Sequence, residues 1–168
     1  MIDAALLLVF PALMAYAAAS DLLTMTIPNR LTLALAVGFV VFAALGGLPA
    51  QAILLHLAAG VLMLGVCFAL FAFNWIGGGD AKLAAATALW LGFGVLMDYL
   101  LISTVAGGLL TLAILALRKF PVPAFAARWD WLSRLHDHRS GVPYGIALAG
   151  AGLAVYPHSP LWTVLVAS

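Results

Sequence analysis

Long uncharged stretches alternate with short polar interruptions along this chain, and the interruptions outline its elements. Charged residues stand at Asp3, Asp21, Arg30, Asp80, Lys82 and Asp98, and then cluster between Arg118 and Arg139. Between them lie charge-free runs over 4–20, 31–79, 83–97, 99–117 and 140–168. A helix needs about 20 apolar residues, and no fewer than about 17, to cross the hydrocarbon of a bilayer. The run 31–79 has room for two such helices, and Gly46-Gly47-Leu48-Pro49 supplies the break between them. The pattern therefore predicts an all-α polytopic membrane bundle of six transmembrane helices, over about 3–20, 30–47, 51–73, 81–97, 99–117 and 142–156, in a single domain covering 1–168.

The fourth predicted helix is short, with Lys82 placed to snorkel from its end. Pro157 and Pro160 interrupt the sixth, which leaves 161–168 for the membrane interface with Trp162 as anchor. Over 124–139, Phe125, Trp129, Leu132 and Leu135 share one helical face and Arg128, Arg134 and Asp137 lie elsewhere. That stretch predicts an amphipathic surface helix, and the segment 118–139 carries five cations against two acids, which suits anionic headgroups. Ala15-Tyr16-Ala17 has the small-x-small form of a signal-peptide cleavage site. The residues that open the chain are Met-Ile-Asp, however, with an acid where a signal peptide has a cation, so the first helix is expected to be retained.

Composition removes other classes of function. Of 168 residues, 66% are hydrophobic and 8% charged, whereas a soluble domain of this length carries about 25% charged residues. Lipid is thus the solvent for most of the surface. A net charge of +1 gives no basis for a nucleic-acid partner. The one cysteine, Cys67, has no partner for a disulfide or a thiolate metal site. His136-Asp137-His138 holds three adjacent side chains that cannot close a tetrahedral site, so neither a metal nor any other cofactor is expected.

Alternate counting of the loops places Arg30 in the first, Lys82 in the third, and Arg118, Lys119, Arg128, Arg134 and Arg139 in the fifth. All seven cations then share one side and the even loops hold only Asp98. By the positive-inside rule that side is the cytoplasm, and both termini are expected outside.

Ionisable residues near a membrane core are costly and mark candidate chemistry. Asp21 follows the first predicted helix, and Asp80 closes Gly77-Gly78-Gly79-Asp80 ahead of the fourth. Alone, Asp21 reads equally as a solvated acid, and Asp80 as a plain N-cap. Together they change the reading, because the topology brings both to the cytoplasmic boundary. Two carboxylates in one site cannot both ionise cheaply, so they share a proton, and one can deprotonate water while the other protonates a carbonyl oxygen. The three glycines suit such a site if their backbone takes positive φ and lets a substrate strand approach; the plain alternative is a flexible turn. Lys82 is placed to hold an anionic substrate group or to tune Asp80, and snorkelling explains it equally well. His56, near the outer end of the third helix, reads as an interfacial or bundle-facing polar residue.

Three motifs now carry a resemblance. Asp21, Pro28 and Asn29 form D-x6-P-N, Gly77–Asp80 form G-x-G-D followed by Ala81-Lys82, and Pro143-Tyr144-Gly145 opens the last helix. In this order and spacing the chain resembles the type IV prepilin peptidases, and in particular the small Tad/Flp-pilus branch. The resemblance implies that Asp21 and Asp80 are the catalytic pair, supported by Gly77, Gly78, Gly79, Lys82, Pro28 and Asn29. It implies an aspartic endopeptidase of the bacterial inner membrane that removes the leader from prepilin-like membrane proteins at the cytoplasmic face, in contact with the pilus assembly machinery. The larger peptidases of this kind add a cytoplasmic domain with paired cysteines and also methylate. Here the loop from Asp21 to Arg30 is ten residues and Cys67 stands alone, so cleavage without methylation is the expectation. The rival class is a non-enzymatic membrane protein, a small carrier or a secretion-system scaffold, using the same acids for ion coupling or helix pairing. A carrier would show inverted repeats or broken helices at mid-membrane, and the sequence has neither.

Overall fold

The computed structural model describes residues 2–121 and 128–167, with side chains described over 7–121 and 128–164. These residues form eight α-helices: α1 (Ile2–Thr24), α2 (Asn29–Leu45), α3 (Ala50–Ala72), α4 (Gly78–Leu91), α5 (Leu96–Leu117), α6 (Asp130–His136), α7 (Gly145–Val155) and α8 (Pro160–Ala167). Short 3-10 turns at Phe93–Val95 and Tyr156–His158 lead into α5 and α8. Three stretches are long and apolar enough to cross a membrane, Leu7–Thr24, Ala50–Ala72 and Phe93–Leu117, and Asn29–Leu45 is a shorter apolar helix.

The centre of the molecule is α4. Its 14 residues rise only about 21 Å, less than the bilayer core. It can be short because α2, α3, α7 and α8 pack around it and shield it from lipid. Alanines at 81, 84, 85, 86 and 88 let those neighbours come close, the device by which helices associate where lipid removes the hydrophobic drive. Trp90 is fully buried near its far end, donates its indole N–H to Leu35 O at 2.8 Å, and lies among the rings of Phe10, Phe39, Phe42 and Tyr156.

Several boundaries differ from those predicted. α1 continues through Asp21, since Leu22-Leu23-Thr24 sustain it until Met25 takes a left-handed conformation (φ 54°) and Pro28 follows. The fourth helix starts earlier and stops earlier than its charges suggested. Its end is Gly92 at φ +66°, and a Cβ there would also come within 2.8 Å of the His56 ring. His56 is thus bundle-facing, buried, with Nδ1 2.9 Å from Leu89 O. Asp98, taken as the divide, lies in the first turn of α5. The sixth predicted helix is α7, and the chain beyond Pro157, expected at the membrane interface, forms α8 instead: its Leu161 is buried and Trp162 meets Tyr156 edge-on at 5.4 Å, so this end packs on the bundle.

Of the amphipathic stretch, 124–127 with Phe125 lies outside the described residues, and the helix that is described is α6. Leu135 is buried and Trp129 is exposed, stacked on Trp131. Arg134 donates to Leu23 O at the end of α1, and Arg118 donates to Leu135, Ser140 and Gly141 carbonyls, so α6 is tied to the bundle.

Candidate active site

The ends of α1, α3 and α5 meet the beginnings of α2, α4 and α7 at one pole. Contacts across it include Lys82 with Asn29, Asp21 with Gly145, and Arg118 with Gly141. This is the pole at which Arg30, Lys82, Arg118 and Arg134 gather, and both candidate acids belong to it.

Asp21 sits in the last turn of α1, 5% exposed, and its Oδ2 accepts a 2.7 Å hydrogen bond from the backbone N–H of Gly145, the first residue of α7. Glycine leaves room for this contact: a Cβ on residue 145 would lie 2.8 Å from both Asp21 Oδ2 and Ile27 Cδ1, so those side-chain ends would have to shift. Asp80 sits in the first turn of α4, where its carboxylate accepts a hydrogen bond from the Gly77 N–H, the N-terminal residue of that turn. It is therefore not the N-cap but the third helical residue, reaching back as a capping-box acid does. Asp80 is within electrostatic reach of Asp21. Both acids receive the positive ends of helices, α7 at Asp21 and α4 at Asp80.

The two acids line one cavity of about 890 Å³. Its other walls come from Met25, Thr26 and Ile27 after α1, from Trp75 through Gly79 before and within α4, and from Gly141, Val142 and Tyr144 before α7. The wall after α1 is held by hydroxyls: Ser20 Oγ donates to Thr26 O at 2.9 Å, and the Thr24 and Thr26 hydroxyls lie 2.7 Å apart. Tyr144 lies over Gly107 of α5 so closely that a Cβ on residue 107 would fall within 2.1 to 2.4 Å of its ring and oxygen. Its hydroxyl donates to Ser103 O at 3.2 Å.

The cavity gathers Asp21, Asp80, Gly77, Gly78 and Gly79, and it leaves out Pro28, Asn29 and Lys82. The glycines do not act as expected. Gly77 has φ −72°, and the positive-φ glycines among the described residues are Gly47 and Gly92. Gly78 and Gly79 instead allow close packing, with Phe71 and Ile27 standing 3.2 and 3.3 Å from where a Cβ would be. Pro28 caps α2, and Lys82 Nζ donates to Asn29 Oδ1 at 2.9 Å, which clasps α4 to α2 on another face. Sequence reading did not assign a site role to Trp75, Tyr144 or Gly145. The Pro143-Tyr144-Gly145 motif was the available signal for the last two. Among the described residues, no group of three or more His, Cys or acidic side chains could hold a metal. His136 and Asp137 make local backbone contacts, to Leu132 O and from the Arg139 N–H.

An all-helical membrane bundle that converges two carboxylates on a cavity at its cationic pole defines the class of protein, a helical membrane protein built around an acid pair. The chain belongs to the type IV leader peptidase family, whose model matches residues 8–112 and so includes both acids. That is a family of aspartic proteases that act as prepilin leader peptidases. Similar proteins are the prepilin leader peptidase/N-methyltransferases of Aeromonas salmonicida strain A449 and of Aeromonas salmonicida. Each is 31% identical over 137 residues, which is 79% of this chain and 42% of the relative. The chain thus spans less than half the length of these curated relatives. No solved structure matches it.

Proposed function

We propose that this chain is a leader peptidase of the small Tad/Flp type, which hydrolyses the leader from Flp-like type IV prepilins at the cytoplasmic face of the bacterial inner membrane. On this reading it is one domain that passes the membrane six times, α4 and α7 being short inner passes shielded by longer helices. Non-ideal passes of this kind are tolerated where protein rather than lipid surrounds them. The observation that carries the proposal is the convergence of Asp21 and Asp80 on one cavity at the pole where the cations gather.

The chemistry follows from the pair. A water between the carboxylates loses a proton to the ionised acid as its oxygen bonds to the scissile carbonyl carbon. The protonated acid gives its proton to the carbonyl oxygen, which yields a neutral tetrahedral diol. Collapse of the diol breaks the C–N bond, with a proton passing to the departing nitrogen. No metal or other cofactor is required by this sequence. A substrate anchored by its own apolar helix would search only the membrane plane, which raises its effective concentration at the acids. Trp75, 75% exposed, and Tyr144 both line the cavity and offer that substrate aromatic surfaces. Co-expression with candidate prepilins, scored by mass for leader removal, tests the proposal; unprocessed prepilins in every pairing would reject it.

A further inference from the structure

The two helices that follow one another as α2 and α3 scarcely touch; both pack on α4 instead. Between them a groove of about 420 Å³ opens to the outside of the bundle. Ala36 of α2 and Leu57 and Val61 of α3 wall it, and Ala85 and Ala86 of α4 form its floor. Its polar end, with Asn29, Thr32 and Lys82, lies at the cationic pole. From Lys82 to Leu89 along α4 it runs about 10 Å.

In a bilayer this groove does not stay empty, since an unfilled apolar gap forfeits dispersion contacts along its walls. Nor does water fill it, because its walls offer few polar partners below the mouth. The membrane supplies two kinds of occupant, a lipid chain or a partner helix. The geometry of α4 separates them. Asp80 and Lys82 are two residues apart, which is about 200° around a helix, so the groove and the acid pair occupy opposite faces of α4. A substrate helix lying in the groove would carry its scissile bond away from Asp21. A lipid has no such constraint and matches the charge at the mouth. Lys82 has three N–H donors and gives one to Asn29 Oδ1, which orients the ammonium and leaves two for a phosphate at headgroup depth.

We infer that this groove is a phospholipid site, with an acyl chain laid along α4 between α2 and α3 and the phosphate held by Lys82, whose ammonium Asn29 orients. The test uses the full chain in nanodiscs containing a phosphatidylglycerol with a photoactivated diazirine on its acyl chain, with adducts mapped by mass spectrometry. Adducts should concentrate on 32–36 and 57–64, at least fivefold over the exposed Val105, Leu109 and Leu112 of α5. Ala36→Trp, which fills the groove, should remove that excess, and Lys82→Gln should reduce it severalfold. Native mass spectrometry of the wild type should show one phospholipid retained after mild detergent washing. Even labelling along the lipid-facing helices, an excess that survives Ala36→Trp, or no retained lipid would overturn the assignment. So would capture of a prepilin helix by a photocrosslinker placed at Leu57.

Discussion

The Gly145 amide donates to Asp21 Oδ2 at 2.7 Å across 124 positions of sequence. This bond joins the carboxylate at the end of α1 to the start of α7. It also places a contact of Asp21 beyond residue 112, where the family match ends.

Gly145→Ala is therefore expected to disable the site without removing either acid. The added methyl would stand 2.8 Å from Asp21 Oδ2 and from Ile27 Cδ1, so the carboxylate must move. A displacement of about 1 Å in a reacting group costs about 100-fold in rate. Prepilin processing at normal protein level should fall by about that factor, and a near wild-type rate would show that Asp21 does not need this anchor.

Tyr144 should act through its seat on Gly107. Tyr144→Phe keeps the ring and loses the hydroxyl bond to Ser103 O, worth about 1 kcal/mol, so processing should fall by no more than about fivefold. Gly107→Ala drives a methyl into the ring and should cost far more. Rates measured for the two variants should differ by at least tenfold, and equal rates would contradict the seating role.

Much of this arrangement was legible in the sequence, for a physical reason. Charge is so costly in lipid that the charge-free runs located the long helices and singled out Asp21 and Asp80. The same logic misplaced the end of the fourth helix. Asp98 sits without penalty in the first turn of α5, whereas the true break is Gly92, whose φ of +66° and contact with His56 arise from packing. Positive φ is the expectation for the glycines ahead of Asp80, whereas Gly78 and Gly79 serve by being small, since Phe71 and Ile27 crowd them. The motifs group Lys82 and Asn29 with the acids, yet two residues along a helix turn Lys82 to the other side of α4, where it meets Asn29. The anchor of Asp21 by Gly145 depends on which helices meet, which no local pattern encodes.

The cation pole should face the cytoplasm. In a Cys67→Ala background, single cysteines at Thr26 and Ser133 should react with a membrane-impermeant reagent only when the cytoplasmic side is open. A cysteine at Gly47 should react from the outside. Reaction of the Gly47 position from the cytoplasm alone would invert the bundle and separate the acids from a cytoplasmic cleavage site.

Processing by this chain alone should leave the new N-terminus unmethylated. Between α1 and α2 only residues 25–28 intervene, and Cys67 is buried inside α3. Mass spectrometry of the mature pilin decides the matter, and an increment of about 14 Da on its first residue would refute the expectation, since Cys67 has no partner for the paired-cysteine site.

On the proposed function, Asp21 and Asp80 act as one acid–base unit. Asn replaces Asp with almost no change in volume, so Asp21→Asn and Asp80→Asn leave the cavity filled while removing the proton exchange. The direct measurement is the rate of leader removal from a prepilin by purified wild type, each single variant and the double variant, at matched levels of inserted protein. Each single change should lower the rate at least about 1,000-fold, and the double change should be no worse than either, as for residues that act as a unit. Near wild-type processing by either single variant, or losses that multiply in the double, would contradict that assignment.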